Sequence, residues 1–358
     1  VPRLDYTDSS CPALLLEPQR TNIFVQSEYL LSGSGWSAAN LDRNANAVVS
    51  PEGVQNGTEI VATGSGGHPI YEDLSSTSNG TYTLSMFVKK GVNTSKGDLS
   101  DGYSTTSASF DLDTATINAD TAQTLNPFIE PYNNGWYRVG YTFAVTANQS
   151  QPAVYLFDSS GNQGYTANGE TMYIYGFQIE SGSYATSYIP TYGTSVSRAG
   201  EYAYKSGVSG LIGQTEGSGY VEFEIDIVRD FDSDYPQLLN LSDGTDNNRI
   251  SLFLNDTYST ARLQLYVKNG GGVQASIISS SITAGKHKVA YAYAANDFVL
   301  YMDGVQIGTD NAGSVPSCSL VGLNGYTGAN DFAEAKKSQA IVFKTRLTNA
   351  ELAALTTI

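Results

Sequence analysis

The feature that most constrains the fold is a period-two alternation of apolar and polar residues, repeated in short runs along the chain. Each run is rich in Val, Ile, Tyr, Phe and Thr and is bounded by Gly, Asn, Asp or Ser. Because successive side chains of an extended strand point to opposite faces, such runs predict half-buried strands. The clearest runs are 81–89, 136–145, 154–157, 171–179, 220–228, 249–254, 261–267, 288–294 and 298–302. Many short strands separated by turn residues are typical of β-sandwiches and barrels.

Two local signals refine this prediction near the C-terminus. Asp303-Gly304 lies between two alternating segments, which predicts a type I′ β-hairpin. Thr348 is followed three residues later by Glu351, the spacing of a helix capping box, and an apolar face follows. We therefore predict one short helix over 348–355. The predicted fold class is all-β, with two tandem jelly-roll β-sandwiches and one short C-terminal helix.

A break in the strand rhythm predicts the domain boundary. The segment 188–200 (YIPTYGTSVSRAG) contains Pro190, Gly193 and several small residues. A chain of 358 residues is about two domains long. We expect an extended lead-in over 1–20, a first sandwich over 21–192, a linker over 193–210 and a second sandwich over 211–358.

The charge balance excludes two classes of partner. The chain has 35 Asp and Glu against 19 Lys and Arg, a formal net charge of −16. Nucleic-acid phosphates and anionic lipid surfaces attract clusters of Lys and Arg, so we expect neither nucleic acid nor a membrane as a partner. No apolar run approaches the roughly 18 residues of a membrane-spanning helix.

Cysteine and histidine offer little chemistry. Cys11 and Cys318 are far apart in the sequence, so they would form a disulfide only if the two chain ends met in space, and we expect two free thiols. His68 and His287 have no His or Cys at ligand spacing, which argues against a zinc site and against a Ser-His-Asp centre. The first residue is Val1 rather than Met, so we expect a further segment to precede this chain in the natural protein.

Three stretches carry a resemblance to known families. The opening 2–6 (PRLDY) with 14–22 (LLLEPQRTN) resembles the lead-in of fibre and spike proteins of tailed bacteriophages. The segment 176–191 (GFQIESGSYATSYIPT) is similar to the close of the first jelly roll of those proteins, which itself looks like a carbohydrate-binding module. The hairpin 298–307 and the segment 340–355 (AIVFKTRLTNAELAAL) are similar to the end of laminin-G or concanavalin A-like lectin/glucanase domains.

The resemblance implies a bacteriophage virion appendage, a head or tail fibre or spike, on the virion surface and outside the cell. Its implied partners are a host surface glycan and other virion proteins, the latter reached through the preceding N-terminal segment. Weak glycan binding gains from multivalent display, so we expect a homo-oligomer, with a trimer as the candidate state. Non-enzymatic attachment is the main hypothesis. A polysaccharide depolymerase and a decoration protein without a ligand are the alternatives, because such sandwiches host all three.

Candidate carbohydrate-binding residues are aromatic, since rings stack on the CH faces of sugars. Trp36 lies in a Gly/Ser loop, where packing into the core is the alternative. Tyr71, Tyr155 and Phe157 are expected on a concave sheet face, with core packing as the alternative. Trp136 begins a strand and is expected to be buried.

Calcium is the ion that we expect, because acidic, oxygen-rich loops suit a hard cation. The segment 230–234 (DFDSD) begins like a calcium loop, but Tyr235 and Leu241 stand where an EF-hand needs Gly and Glu, which excludes an EF-hand. A different calcium site or a solvated acidic turn remains open. The carboxylates concerned are Asp230, Asp232 and Asp234. The resemblance to carbohydrate-binding modules also implies Glu28 and Glu180 as calcium ligands.

An enzyme would need two carboxylates at a defined separation. The nearest match to the E-x-D-x-x-E strand of concanavalin-like glycosidases is Glu222, Glu224 and Asp226, whose spacing differs by one residue. Val221 and Phe223 alternate with them, as in an amphipathic strand that has one solvent-facing side. We therefore assign no catalytic residue.

Overall fold

The structure, a computed structural model, describes residues 3–5, 13–74, 77–102, 106–146, 150–225, 235–255, 261–325 and 336–358. The chain divides into two compact units. The inserted unit is Gln19–Arg198, and the flanking unit combines Val1–Pro18 with Ala199–Ile358. All described strand pairs are antiparallel, which confirms the predicted all-β class.

The strands are numbered in chain order. Two strands precede the inserted unit, β1 (Arg3–Asp5) and β2 (Ala13–Leu15). The inserted unit contains β3 (Arg20–Asn22), β4 (Trp36–Ala38), β5 (Leu41–Val49), β6 (Gln55–Ala62), β7 (Ser65–Gly67), β8 (Pro69–Glu72), β9 (Gly80–Lys90), β10 (Lys96–Ser100), β11 (Ser107–Asp111), β12 (Thr116–Ala119), β13 (Leu125–Pro131), β14 (Trp136–Val145), β15 (Ala153–Leu156), β16 (Gly164–Thr166), β17 (Thr171–Ser181) and β18 (Val196–Arg198). The flanking unit continues with β19 (Tyr204–Ser206), β20 (Glu216–Ile225), β21 (Gln237–Ser242), β22 (Arg249–Asn255), β23 (Arg262–Asn269), β24 (Gly272–Ser281), β25 (Gly285–Ala294), β26 (Asp297–Met302), β27 (Val305–Asp310), β28 (Leu320–Gly322), β29 (Lys336–Phe343) and helix α1 (Asn349–Thr356).

The inserted unit is a sandwich of two six-stranded sheets. Sheet A has the order β12-β11-β10-β15-β8-β4, and sheet B has the order β13-β14-β9-β17-β6-β5. Small two-stranded ladders join β16 to β7 and β18 to β3. Alternation along the strands turns one face of each sheet inward, and the buried residues of this core include Ile70, Leu84, Leu99, Tyr141, Val154 and Phe177.

The flanking unit is also a sandwich. Sheet C has the order β1-β2-β29-β20-β25-β26-β27, and sheet D has the order β19-β28-β21-β22-β23-β24. Its core is built from both inner faces and includes Val221, Phe223, Leu252, Leu265, Tyr291 and Leu300. Helix α1 covers the outer face of sheet C, where Leu352 packs with Tyr220, Ala292 and Tyr301.

The local predictions are confirmed. The predicted strand 136–145 is β14, and Trp136 is fully buried. The chain turns between β26 and β27 at Asp303 (φ 51°) and Gly304 (φ 79°), the left-handed pair that a type I′ turn needs. The Thr348 side chain caps α1, with the reciprocal contact from Glu351 in place.

The division of the chain differs from the tandem arrangement. The lead-in contributes strands β1 and β2, and β2 pairs with β29 through Leu14 and Lys337. The first sandwich is therefore an insertion between the first strands and the remainder of the flanking unit. The expected linker contains strands as well: β18 pairs with β3, and β19 pairs with β28. Helical backbone elsewhere is limited, within the described ranges, to short 3-10 turns at Asn133–Gly135 and Ser209–Leu211.

Candidate functional site

The most developed candidate site is a cavity on the outer face of sheet D. Strand β22 turns Ile250, Leu252 and Leu254 into the core, so Phe253 and Asn255 point to the opposite face. Strand β23 follows the same rule beside it, since Gln264 pairs with Phe253 in the ladder. The cavity measures about 330 Å³. We call it the aromatic cavity, and it is lined by Tyr235, Gln237, Arg249, Phe253, Asn255, Gln264 and Tyr266.

Three rings form a continuous row in this cavity. The Tyr235 and Phe253 rings meet edge to face with centroids 5.6 Å apart, and Phe253 meets Tyr266 at 6.4 Å in the same manner. The guanidinium carbon of Arg249 lies 5.3 Å from the centroid of the Tyr266 ring, a cation–π distance. Phe253, in the middle of the row, is only 6% exposed, so the ring surface open to a ligand comes from Tyr235 and Tyr266, which packing against Phe253 holds in place.

The side-chain amides that line the cavity form some hydrogen bonds among themselves. Asn255 Nδ2 donates to Gln264 Oε1 at 2.5 Å, and Gln264 Nε2 donates to the Ser276 hydroxyl at 3.0 Å. Gln237 is only 2% exposed and donates to the Tyr235 carbonyl at 2.7 Å. Its Oε1 is buried and accepts no hydrogen bond within the described part of the chain. A buried acceptor without a donor costs about 1–3 kcal/mol.

A second candidate surface lies on the outer face of sheet A. Because Ile70, Val154 and Leu156 point into the core, Tyr71 and Tyr155 lie on the outer face, and both are half-buried. The ladder pairs Ala153 with Tyr71 and Pro69 with Tyr155, so the two tyrosines are diagonal neighbours. Phe157 continues the alternation onto the same face, and its amide N–H donates to the Lys96 carbonyl at 3.1 Å.

A carboxyl pair adjoins these tyrosines. Asp98 lies directly opposite Tyr155 in the ladder and is 6% exposed. Burial, followed by the charge of Asp120 and a hydrogen bond to it, raises the pKa of Asp98 to about 8. Asp120 in turn accepts hydrogen bonds from the hydroxyls of Ser107 at 3.0 Å and Ser109 at 2.8 Å.

The structure corrects the candidate assignment of Trp36 as a sugar-binding residue. Its ring is 2% exposed and packs against Phe24 and Phe177, with centroids 5.1 Å and 4.5 Å away. The indole N–H donates to the Gln26 carbonyl at 2.7 Å. Both the apolar surface and the single donor of Trp36 are therefore used inside the protein. Trp36 is a core residue, whereas Tyr71, Tyr155 and Phe157 share one outer face.

Glu28, one of the expected calcium ligands, is 8% exposed and accepts hydrogen bonds from several protein groups. The Tyr192 hydroxyl donates to it at 2.9 Å, the Tyr188 hydroxyl at 3.3 Å and Asn56 Nδ2 at 3.2 Å. These donors stabilise the carboxylate without a cation, because each supplies the positive end of a dipole.

Glu180 also accepts hydrogen bonds from protein groups, but from a different set of donors. The pairing of β17 with β9 shifts register between Tyr175 and Gln178, where Gly176 adopts φ 65°. After this shift the inward and outward side chains alternate in a new phase, and Glu180 points away from the core. It is fully buried and accepts from Gln178 Nε2 at 2.6 Å, from the Thr186 amide at 2.8 Å and from the Thr186 hydroxyl at 2.6 Å. The structure thus gives the two glutamates separate partners and does not bring them together as one ligand set.

The remaining calcium candidates, Asp230, Asp232 and Asp234, lie outside the described residues. Within the described ranges, no three His, Cys, Asp or Glu side chains are grouped so that they could hold a metal ion. Calcium binding by this protein stays a prediction.

The acidic strand considered for catalysis is β20. Val221, Phe223 and Ile225 are buried in the core, while Glu222 and Glu224 are half-buried on the other face. The Tyr220 hydroxyl donates to Glu222 Oε2 at 3.2 Å, and Lys286 Nζ lies 3.7 Å from Glu224 Oε2. The described part of this strand has the amphipathic pattern that the sequence predicts, and Asp226 lies outside it.

Sequence reasoning missed the aromatic cavity. The available signal was the mixture of ring and amide side chains at alternate positions, Phe253 with Asn255 and Gln264 with Tyr266. It was overlooked because the intervening Leu252, Leu254 and Leu265 make both strands look uniformly apolar.

Comparison with known proteins gives a limited result. No protein-family model and no curated protein matches the chain. Among solved structures, the carbohydrate-binding module CBM40 of the Ruminococcus gnavus IT-sialidase, bound to α2,3-sialyllactose, is 17% identical, with a TM-score of 0.32 over 40% of this chain and 84% of that one. Domains LG4–5 of the mouse laminin α1 chain are 12% identical, with a TM-score of 0.25 over 79% of this chain and 86% of that one. The heptameric SAP-like pentraxin of Limulus polyphemus is 14% identical, with a TM-score of 0.31 over 40% of this chain and 71% of that one.

These values are too low to assign the chain to a family or to carry an argument about its ligand. Within the described residues, no helix has the length and apolar character needed to cross a bilayer. The chain is similar to carbohydrate-binding, laminin G and pentraxin structures.

Proposed function

We propose that this chain is a carbohydrate-binding protein without catalytic activity, displayed on a bacteriophage head or tail fibre or spike, that attaches the virion to a host surface polysaccharide. In this proposal the flanking unit supplies the main glycan site, and the inserted unit supplies a second surface at Tyr71 and Tyr155. The protein would act outside the cell, on the virion surface, as a homo-oligomer.

The aromatic cavity is the observation that carries the proposal. Its row of three rings suits the CH faces of pyranose sugars, and its amides suit sugar hydroxyls. Its volume of about 330 Å³ falls at the lower end of the ~300–1,000 Å³ of small-molecule sites.

Binding rather than hydrolysis is supported by the carboxylates. Glycoside hydrolysis uses two carboxyl groups on opposite sides of the scissile bond, about 5–9.5 Å apart. The described lining of the aromatic cavity contains no carboxylate. On the inserted unit, Asp98 and Asp120 are hydrogen-bonded to each other, which leaves no room for a glycosidic bond between them.

The virion part of the proposal rests on the resemblance of the lead-in and of segment 176–191 to phage fibre and spike proteins. Multivalent display would convert weak single-site binding into firm attachment, and it makes a trimer the candidate assembly.

A glycan array followed by a reducing-sugar assay on each bound polysaccharide tests the proposal. We expect binding without release of reducing ends. The matched variants are Tyr235→Ala, which shortens the ring row, and Tyr204→Ala, which removes another exposed tyrosine, from strand β19 of sheet D. Tyr235→Ala should weaken binding about tenfold, or ~1.4 kcal/mol, and Tyr204→Ala should leave it unchanged.

Other outcomes separate the alternatives. Release of reducing ends would identify a depolymerase, and an empty array would favour a decoration protein. Binding that survives Tyr235→Ala but is lost in Tyr155→Ala would move the main site to the inserted unit.

A further inference from the structure

A second groove of the flanking unit lies between sheets C and D, beside strands β19 and β28 and the end of β29. It measures about 530 Å³ and is lined by Lys205, Val208, Leu211, Val321, Val342 and Lys344. We call it the edge groove. Its three valines also pack against the core of the unit, and Leu211 is 65% exposed. The floor is therefore apolar surface that is continuous with the core and open to solvent, as at a docking site.

The floor is held in place by the Gln214 side chain. Its Nε2 donates to the Ser209 carbonyl at 3.2 Å and to the Cys318 carbonyl at 2.9 Å, and its Oε1 accepts from the Cys318 amide at 3.2 Å. These bonds tie the short 3-10 turn that carries Leu211 to the segment before β28. The groove is therefore formed before a partner arrives, which keeps the ordering cost of binding low.

Strand β19, one wall of the groove, is an edge strand: among the described strands it pairs with β28 alone. The Leu323 amide donates to the Ala203 carbonyl at 2.9 Å. Backbone groups alternate between the two sides of a strand in an antiparallel ladder. It follows that Tyr204 and Ser206, at the alternate positions, direct their N–H and C=O groups to the open edge. A second extended chain matches these groups at strand spacing.

Two lysines lie on facing walls of the groove. Lys205 is directly opposite Val321 in the ladder and shares its inner face. Lys344 lies two positions beyond Val342, which packs against the core from sheet C. Neither ammonium has an ion-pair or hydrogen-bond partner among the described residues. A partner with acidic side chains supplies the missing charges.

Lysines beside an edge strand also protect it from unwanted pairing. In the edge groove this protection is selective, because the ammonium groups repel a basic strand and lose hydration without compensation beside an uncharged one. An acidic strand meets neither obstacle. A fatty acid matches the floor and the charges, but it leaves the backbone groups of Tyr204 and Ser206 without partners.

We propose that the edge groove binds an extended, acidic segment of another protein, which adds a strand to β19. The backbone of that segment pairs with Tyr204 and Ser206, its apolar side chains cover Leu211, and its carboxylates lie at Lys205 and Lys344. The proposal is independent of glycan binding, because it uses none of the residues that line the aromatic cavity.

Fluorescence anisotropy on the full chain tests the proposal with a labelled peptide of about ten alternating Val and Glu residues, the length of a long strand. This peptide should bind the wild-type protein. A peptide of alternating Val and Lys should bind about tenfold more weakly or not at all, because it cannot form the charge-assisted contacts.

Three variants locate the binding. Lys205→Gln should weaken it about tenfold, whereas the matched control Lys286→Gln removes an exposed charge of sheet C outside the groove and should leave it unchanged. Leu211→Ser removes apolar surface from the floor and should also weaken binding. Ser206→Pro removes an N–H that β28 does not use, so this variant should keep the fold and lose binding about tenfold.

Hydrogen exchange measured by NMR gives a readout specific to strand addition. The amides of Tyr204 and Ser206 should exchange rapidly in the free chain and about tenfold more slowly or less with the Val-Glu peptide bound, because they then donate to its carbonyls. Charge attraction alone does not protect them.

Four outcomes would overturn the proposal. The first is failure of the Val-Glu peptide to bind, which leaves the lysines as protection of the edge. The second is binding that persists in Ser206→Pro without protection of these amides. The third is dodecanoate that binds more tightly than the peptide and displaces it, which identifies a site for amphiphiles. The fourth is self-association of the wild-type chain in sedimentation that Leu211→Ser abolishes, which assigns the groove to a second copy.

Discussion

The substitution Asp98→Asn should remove most of the pH dependence of the inserted unit's stability. Asp98 is 6% exposed, and burial, reinforced by Asp120, raises its pKa from 3.8 to about 8. The unfolded chain loses this proton near the ordinary pKa, whereas the folded chain keeps it up to about pH 8. The folded state therefore binds more protons between these values, and its stability falls as the pH rises.

The size of the effect follows from the same shift. One pKa unit corresponds to about 1.4 kcal/mol. The free energy of unfolding should therefore fall by at most ~1.4 kcal/mol for each pH unit, and by an amount on the order of 5 kcal/mol across the whole window. Asn cannot ionise but has the shape of Asp and can donate to Asp120, so the variant should keep the fold while losing this slope.

Tryptophan fluorescence isolates the relevant unit. The chain has two tryptophans, Trp36 and Trp136, and both are buried in the inserted unit. Guanidinium titrations at a series of pH values would give the unfolding free energy of that unit in the intact chain.

Glu72 provides the matched comparison. It is 6% exposed, and burial raises its pKa to about 7, so it contributes a slope of the same sign up to that pH. Glu72→Gln should reduce the slope only between about pH 4.5 and 7, whereas Asp98→Asn should reduce it over the wider window from about pH 3.8 to 8. Identical pH profiles for the wild-type protein and Asp98→Asn would refute the reasoning.

Three further predictions concern stability. Lys337→Met should stabilise the flanking unit in urea titrations at pH 7, because burial lowers the pKa of Lys337 to about 7 and its ammonium has no partner among the described residues. The stability of the wild-type protein should rise with pH between about 7 and 10.5, the pKa of this lysine in the unfolded chain. Equal urea midpoints for the two proteins at pH 7 would contradict this. Thr348→Ala should lower the stability of the flanking unit by about 1 kcal/mol, since it removes the cap of α1, as thermal unfolding followed by near-ultraviolet dichroism would measure. Trp36→Phe should lower the stability of the inserted unit by about 1 kcal/mol, because it removes the hydrogen bond from the indole N–H to the Gln26 carbonyl. Glycan affinity should stay unchanged. Weaker glycan binding in titration calorimetry would indicate that Trp36 contacts the ligand.

The parts of the fold that could be predicted depend on local chemistry. The alternation of ten residues predicts strand β14. The turn at Asp303-Gly304 is predicted by two residues that tolerate positive φ. The spacing of Thr348 and Glu351 predicts the cap of α1. Each signal lies inside the element that it specifies, so one sequence suffices to find it.

The parts that could not be predicted depend on pairing between distant segments. Leu14 and Lys337 are neighbours in sheet C although nearly the whole chain separates them, and no local pattern encodes that contact. The aromatic cavity has a similar origin. Phe253 and Tyr266 are equally suited to a core and to an outer face, and only the position of the opposing sheet decides which face is buried. The donors that hold Glu28 include Tyr192, which is far away in the sequence, so its surroundings could not be predicted either.

The pairing of β2 with β29 has a consequence for the order in which the protein can fold during synthesis. The inserted unit is complete once Arg198 has been made, whereas strands β1 and β2 must wait for β29 near the end of translation. During that interval their backbone groups lack their final partner, and the inserted unit can fold first. A fragment that begins at Ala199 would lack both strands and leave one side of β29 open. Unpaired strand edges recruit other chains, so expression of the flanking unit as an isolated domain should favour aggregation, whereas a fragment of the inserted unit alone loses no sheet strand.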